Sequence, residues 1–205
     1  MIININSWPG VGKLAIAKQL QRRIGGSLLD NHTIFNFAFG LFEFRTPEFY
    51  EAVRAVRQIA FTLAGRLPPG VPLTLTSAYA DSTFGRENWA AIRAMADARA
   101  VPLCNVVLDC SLDENLRRLQ SPSRTDLRKL TDPAPLVAMR EGRELLADGG
   151  DFLLRLDVSA LAPDEGASRI VDWLQELRLM PVRGPSAAPA SQSRIYGWPK
   201  SEALG

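Results

Sequence analysis

The segment SWPGVGKL at residues 7–14 combines glycines with a lysine in a spacing that suits phosphate binding. The full pattern is a glycine, four residues of any type, then glycine, lysine and a serine or threonine. Backbone N–H groups at the start of a helix can cradle phosphate oxygens, and the lysine adds a positive charge. The alternative is a plain turn before a helix. The residues predicted to bind phosphate are Ser7, Pro9, Gly10, Val11, Gly12, Lys13, Leu14 and Ala15.

Two positions of this loop depart from the pattern. Ser7 stands at the first glycine, and Leu14 stands where a hydroxyl would normally contact Mg²⁺. Losing one charge-assisted contact costs about 1.5–3 kcal/mol, which is about tenfold to a hundredfold in metal affinity. The predicted third strand ends in LTLTSAY without an acidic residue, and Asp81 comes only later. We therefore expect a weakened Mg²⁺ site and assign no side chain as a metal ligand.

The elements around the loop predict an α/β fold. Five short apolar segments alternate with helical patterns, which is typical of a mainly parallel sheet with helices on both faces. Ligands of such sheets bind at the carboxyl ends of the strands, where this loop lies. The predicted strands are 1–6, 27–29, 71–77, 103–109 and 152–157, and the predicted helices include 13–24, 86–100, 133–146 and 163–179. A further helix opens at Thr46-Pro47, with a predicted core stripe of Phe49, Val53, Val56, Ala60, Leu63 and Leu67.

The composition limits the classes of partner that we expect the chain to bind. The chain has 205 residues, 24 basic and 22 acidic, for a net charge of +2. This balance argues against nucleic acid or an anionic membrane as a partner. Cys104 and Cys110 lie on one predicted strand and do not easily bridge, and two cysteines with one histidine make no metal cluster. With neither a signal-peptide pattern nor a long apolar run, we expect a reduced, cytoplasmic protein.

The chain divides into one domain and a tail. Residues 1–180 carry the alternating elements, and residues 181–205 are rich in proline, serine, glycine and alanine. We expect this second segment to be a mobile tail. Within the domain, the polar and basic segment at about 120–133 reads as an exposed loop.

Several segments together resemble a known group of proteins. They are INSWPGVGKLAIAKQL at 5–20, LLDNH at 28–32, VVLDCSLDENLRRL at 106–119, SRTDLRKLTDP at 123–133 and LRLDVSALAPDEGASRI at 154–170. These resemble small bacterial P-loop proteins, described as AAA-type ATPases or shikimate-kinase-like proteins, which group with the shikimate, adenylate, gluconate and chloramphenicol kinases. The resemblance covers about residues 1–178. Many members carry leucine after the loop lysine and then threonine, whereas this chain has Ala15.

The resemblance implies a three-layer P-loop nucleoside-triphosphate hydrolase fold that binds ATP with Mg²⁺. It makes the loop at about 120–133 a lid whose Arg124 and Arg128 would close over the phosphates. It places Ser159 and Leu161 beside adenine. Asp30 would accept the proton of an acceptor hydroxyl or hold a Mg²⁺-bound water. Its alternative role is to cap the helix that follows it.

The remaining candidates concern the acceptor. Asn31 and His32 follow Asp30 and would face an acceptor if Asp30 is functional. Arg86 could bind an acceptor phosphate or carboxylate, or lie on the surface at a helix N-terminus. The phenylalanines of TIFNFAFGLFEF could line an apolar pocket or pack as a cap helix, and we favour the cap helix.

Three functions are compatible with these residues. The first is a kinase that transfers the terminal phosphoryl group of ATP to a hydroxyl of a small molecule, with Lys13, Asp30, Arg124 and Arg128 as the catalytic set. The second is an ATP-binding protein with little transferase activity, which sequesters a ligand or acts as a switch. The third is an interaction domain that binds no nucleotide.

Overall fold

The computed structural model describes residues 1–121 and 130–180. Within these residues the chain forms five strands and seven helices that alternate along most of its length. The strands are β1 (Ile2–Ser7), β2 (Ser27–Leu29), β3 (Leu73–Ser77), β4 (Leu103–Asp109) and β5 (Phe152–Asp157). The helices are α1 (Lys13–Ile24), α2 (Asn31–Leu41), α3 (Pro47–Gly65), α4 (Thr83–Arg99), α5 (Leu112–Leu119), α6 (Pro133–Gly142) and α7 (Pro163–Glu176).

The five strands form one parallel sheet in the order β2-β3-β1-β4-β5, which confirms the predicted α/β fold. β1 is the central strand: Ile2 pairs with Leu73 of β3 on one side and with Leu103 of β4 on the other. Since all strands run the same way, the carboxyl ends of β1, β2 and β3 meet at one edge of the sheet. This edge carries the glycine loop and the residues that follow β2.

Helices cover both faces of the sheet and make three layers. Alternate residues of a strand point to opposite faces. On one face Ile3 and Ile5 of β1 are buried in a core cluster with residues of α1 and α7. On the other face Ile2 and Leu75 are buried with residues of α3 and α4. A smaller cluster joins α2 to α3 and includes Phe35 and Phe39, as expected for a cap helix. Phe37 on α2 and Phe42 and Phe44 beyond its end are exposed, so the segment packs only in part.

The buried face of α3 differs from its predicted stripe. Phe49 and Val53 are fully buried as predicted, but Leu63 is 54% exposed and Arg57 is only 4% exposed. The reason is that α3 packs against both α2 and α4, which turns Arg57 toward Asn88 of α4. The sequence pattern missed this rotation because an arginine was counted as polar surface.

Helix α6 ends at Gly142, four residues before the predicted end at Leu146. The segment that follows lies against the sheet and not in a helix. Buried amide groups explain this: Asn6 Nδ2 donates to the Leu146 carbonyl at 3.0 Å, and Asn105 Nδ2 donates to the Ala147 carbonyl at 2.9 Å. These carbonyls satisfy two buried donors of the sheet, so the extended segment is favoured over another helical turn.

Most of the predicted lid and the whole predicted tail lie outside the described residues, which omit 122–129 and 181–205. Arg124 and Arg128 belong to this part. The division into a domain of 1–180 and a tail therefore stays a prediction.

Candidate functional site

The glycine loop connects the buried end of β1 to the start of α1. β1 ends at Ser7 and α1 begins at Lys13, with Gly12 at the N-cap position. Gly10 has φ 94° and Gly12 has φ 108°, a region that glycine adopts at little cost. Gly12 has no side chain that would cover the first turn of α1. This local geometry is what a phosphate cradle requires.

Lys13 lies at the first position of α1 and folds back over the loop. Its Nζ is 3.4 Å from the Ser7 carbonyl, from Ser7 Oγ and from the Trp8 carbonyl. These long contacts keep the ammonium group near the loop opening. Ser7 is fully buried and its Oγ donates to the Trp8 carbonyl at 3.1 Å. Leu14 is half-buried and Ala15 is exposed. Both side chains are hydrocarbon, so neither supplies a polar side-chain atom to the loop.

Asp30 is held at the same edge of the sheet. It occupies the N-cap position of α2, but its side chain makes no capping hydrogen bond there. Its Oδ1 accepts a hydrogen bond from Thr76 Oγ1, and Thr76 Oγ1 accepts from the Asn31 N–H at 3.0 Å. Thr76 pairs with Ile5 of β1, two residues before the loop starts. The capping role predicted as the alternative is therefore not realised, and the carboxylate stays half-buried beside the strand ends.

A small cavity adjoins Asp30 on the α3–α4 side of the sheet. Asn31, Thr76 and Tyr79 supply its polar lining, and Phe61 and Ile92 supply part of its apolar lining. It has room for about one water molecule. A molecule larger than water could enter it only if the elements that line it moved apart.

Helix α5 braces the loop from the opposite side through Arg118, which the sequence analysis did not single out. Its Nη1 donates to the Val11 carbonyl at 2.7 Å, and its Nη2 donates to the carbonyls of Val158 at 2.8 Å and Ser159 at 3.1 Å. Glu114 accepts from Arg118 Nε at 2.5 Å and fixes the plane of the guanidinium. The one signal in the sequence was the Glu114–Arg118 spacing of four, which predicts a pair along the helix but not its contact with the loop.

Glu114 also accepts two hydrogen bonds from Arg117, at 2.7 Å each. The hydrogen bonds from Arg117 and Arg118 lower the pKa of Glu114 to about 2. The carboxylate therefore stays charged throughout the neutral range. Arg118 is held in place for as long as this charge persists.

A second brace runs from α6 through α5 to the loop. Arg140 Nη1 donates to Asn115 Oδ1 at 3.0 Å, and Asn115 Nδ2 donates to the Pro9 carbonyl at 2.8 Å. Arg140 also pairs with Asp109 at 3.0 Å, at the end of β4. Asn115 is fully buried. The two helices that flank the predicted lid are thus tied to the phosphate loop by one buried amide.

Ser159 and Leu161 lie in the turn after β5, next to the Arg118 brace. Ser159 N–H donates to Asp157 Oδ1 at 2.7 Å, and Ser159 Oγ accepts from the Ser111 N–H at 2.9 Å. The hydrogen bonds from Ser159 lower the pKa of Asp157. Because Arg118 contacts Val11 and Ser159 at once, this turn and the phosphate loop are held as neighbours.

Two predicted acceptor residues have different surroundings. Arg86 is exposed at the start of α4 and pairs with Asp81 through two hydrogen bonds of 2.6 Å. A shallow groove beside it is lined in part by Trp89 and Arg93. His32 is half-buried in the first turn of α2, two residues after Asp30.

The cysteines take no part in this site. Cys104 and Cys110 are buried free thiols, and burial raises the pKa of the first to about 12 and of the second to about 11. Such thiols are unreactive at neutral pH.

In the described ranges, His, Cys, Asp and Glu side chains form no group of three that could hold a metal ion. Within the same ranges, every helix is too short or too polar to cross a bilayer.

Sequence comparison gives no family. No protein-family model matches the chain, and no curated protein matches it. Solved structures do match, and the likeness lies in the fold.

A candidate kinase from Chloroflexus aurantiacus superposes with a TM-score of 0.63 at 17% identity, covering 85% of this chain and 96% of that one. An APS kinase from Mycobacterium tuberculosis, solved with AMPPNP and APS, gives 0.56 at 19% identity, covering 85% and 96%. A shikimate kinase from Aquifex aeolicus gives 0.52 at 14% identity, covering 87% and 99%. The chain therefore has the fold shared by P-loop small-molecule kinases, which confirms the fold that the sequence resemblance implied.

Proposed function

We propose that this protein is a kinase that transfers the terminal phosphoryl group of ATP to a hydroxyl group of a small molecule. The observation that carries the proposal is that two groups lie at the same edge of the sheet, after the ends of β1 and β2, with β3 between them. Lys13 folds over the glycine loop at the end of β1, and Thr76 of β3 holds the carboxylate of Asp30 after the end of β2. Phosphoryl transfer needs positioning and charge neutralisation more than covalent catalysis by the protein.

In this proposal the loop N–H groups and Lys13 bind the phosphates of ATP. The oxygen of the acceptor hydroxyl forms a bond to the terminal phosphorus of ATP, and Asp30 accepts the proton of that hydroxyl. The bond from that phosphorus to the bridging oxygen breaks, and ADP leaves with the electron pair. Arg124 and Arg128 would neutralise the transferred charge from the lid. Ser159 and Leu161 would border the adenine.

Mg²⁺ would neutralise the phosphate charge in such a reaction. The oxygen atoms near the loop fit a weakened site: Leu14 supplies none, whereas Asp30 and Thr76 lie at the sheet edge. Asp30 would hold a Mg²⁺-bound water, as the sequence suggested. Metal affinity would then depend mostly on the phosphate oxygens and water.

A second candidate function is ATP binding with little or no transfer. Leu14 and the ending of β3 in Thr76 and Ser77 without an acid favour it. In that case the protein would sequester its ligand or switch a partner.

Calorimetric titration of ATP, with and without Mg²⁺, tests the proposal. Lys13→Ala should abolish binding, and Lys18→Ala, an exposed lysine of the same helix, is the matched control. Binding that depends on Lys13 and strengthens with Mg²⁺, together with ADP release that requires an added hydroxyl compound, supports the kinase. ADP release lost in Asp30→Asn with ATP affinity retained assigns the acceptor role to Asp30. Binding indifferent to Mg²⁺ without turnover supports the second candidate, and no binding at millimolar ATP refutes both.

A further inference from the structure

Helix α3 has an uncovered apolar side. Its inner side packs against α2 and α4, whereas Ile59 is 62% exposed and Leu63 is 54% exposed on its outer side. Single exposed apolar residues are ordinary. Here, however, six of the eight large apolar side chains that are exposed in residues 1–121 and 130–180 belong to α2, to α3 or to the turn between them. Such a concentration is typical of a contact surface.

The outer side of α3 has the residue spacing through which helices pack in pairs. We call six residues of this side the outer seam: Glu48, Ala52, Ala55, Ile59, Thr62 and Arg66. They follow one another at alternating intervals of four and three residues, which is the pattern of the a and d positions of two helices packed side by side. Ala52 is half-buried and the other five are exposed. The stripe therefore lies on the surface with its apolar residues in the middle and a charge at each end.

The middle of the outer seam is complementary to itself in the antiparallel direction. A twofold axis between two copies of α3 would place Ile59 of one copy on Ala55 of the other, and Thr62 on Ala52. Larger side chains then lie on small ones in every layer, so the two helices can approach closely. A parallel pair would place Ile59 on Ile59 and Ala55 on Ala55, which leaves one layer crowded and the next one loose.

The charges at the two ends select the same direction. In the antiparallel register Arg66 of one copy lies beside Glu48 of the other, at both ends of the pair, whereas a parallel pair would bring like charges together. Within the described ranges the side chains of Glu48 and Arg66 form no ion pair and no hydrogen bond. They are five helical turns apart, about 27 Å, so they cannot reach each other within one chain. Each also has the sign that its end of the helix dipole favours, but the dipole does not explain why both lie in line with the apolar residues.

We propose that the outer seam of α3 is a dimer interface that binds the outer seam of a second copy of this chain in the antiparallel direction. The proposal is independent of the proposed kinase function. A seam of about 27 Å is shorter than a standard protein interface, so we expect a Kd in the micromolar range. The competing explanations are that residues 181–205 cover the seam or that it stays in contact with water, and both leave the chain monomeric.

Sedimentation equilibrium of the full chain, at concentrations from about 1 to about 200 µM, measures the dimer and its Kd. Ile59→Arg buries two charges at the centre of the pair and should raise Kd about a hundredfold or more. Leu153→Arg is the matched control, because Leu153 is a 45% exposed apolar residue on β5, and its Kd should stay within twofold of wild type. A chain that stays monomeric at about 200 µM, or a dimer that survives Ile59→Arg, overturns the proposal.

A charge exchange tests the register and does not depend on the stability of the fold. Glu48→Arg and Arg66→Glu should each raise Kd about tenfold, because each replaces two attractive pairs of the dimer by two repulsive ones. The double variant should return to within threefold of the wild-type Kd. Both of its charges oppose the helix dipole, so this recovery cannot come from a more stable helix. A double variant as weak as the product of the two single effects would overturn the antiparallel register, since the two sites would then act independently.

Discussion

Gly10→Ala should damage the phosphate loop more than Gly12→Ala, and the difference can be worked out from the structure. Both glycines have positive φ, so an alanine costs about 1–2 kcal/mol of backbone strain at either position. A methyl group at Gly10 would also lie 2.5 Å from Asn115 Nδ2 and 3.2 Å from the Asn115 carbonyl. At Gly12 the one described atom within 4 Å of it would be Arg118 Nη1, at 3.8 Å.

Asn115 has little freedom to yield, because it donates to the Pro9 carbonyl and accepts from Arg140. Moving it breaks at least one buried hydrogen bond, at about 1–3 kcal/mol for the group left unsatisfied. We expect a loss in free energy of unfolding of about 2–5 kcal/mol for Gly10→Ala and about 1–2 kcal/mol for Gly12→Ala.

Guanidinium denaturation of the two single variants and of Gly10→Ala with Asn115→Ala measures this difference. The double variant removes the obstructing amide, so its loss should be smaller than the sum of the single losses by about 1 kcal/mol or more. ATP affinity should fall in the same order as stability. Equal costs for the two glycine variants, or strict additivity with Asn115→Ala, would refute the explanation by crowding at α5.

Three further outcomes follow from the site. Leu14→Thr restores the missing hydroxyl and should strengthen the Mg²⁺ dependence of ATP binding about tenfold to a hundredfold. Calorimetry at varied Mg²⁺ concentration measures this dependence. No change would mean that the ion does not approach this position. Arg118→Lys gives up the planar fork that spans three carbonyls, so ATP affinity should fall about tenfold or more, whereas Arg117→Lys, on the exposed side of α5, should leave it unchanged. Burial raises the pKa of Cys104 to about 12 and of Cys110 to about 11, above an unfolded value of about 8.5. The stability of the neutral thiols is complete below about pH 8.5 and is lost as the pH rises toward 11–12, so denaturation midpoints should drop across this range and drop less in Cys104→Ala; midpoints constant between about pH 9 and 11 would contradict it.

The sequence predicted most of the sheet because its strands are short apolar runs between clear turn signals. Residues 27–29, 103–109 and 152–157 are strands within the predicted bounds, and α1 matches its prediction from Lys13 to Ile24. In each of these elements the residue types that favour the local structure are also the types that its place in the core requires. The glycine loop was predictable for the same reason, since Gly10 and Gly12 take the positive φ values that the turn between β1 and α1 requires; phosphate binding by this loop stays a prediction.

The parts that sequence reasoning missed depend on long-range partners. From the sequence, Arg57 is expected on the surface, and only the packing of α4 beside α3 shows that it is buried. Arg118 is expected only to pair with Glu114, and only the fold brings it to the carbonyls of the loop. Nothing in the sequence pointed to Asn115 or Arg140, because a single polar side chain that becomes buried leaves no repeating pattern along the chain. The early end of α6 likewise depends on amide donors more than 30 residues away in the sequence, such as Asn105.

The central place of β1 in the sheet sets an order of events during synthesis. β1 and its loop are made before the residues that they contact in the folded protein. Ile2 pairs with Leu73 and Leu103, and the Pro9 carbonyl accepts from Asn115, which follows 106 residues later in the chain. At typical translation rates that interval is about 5–20 s. The strand IININS, buried at every position in the folded protein, has no neighbour to pair with until β3 is made and only one neighbour until β4 is made. The unpaired apolar strand is prone to aggregation for as long as these partners have not been made.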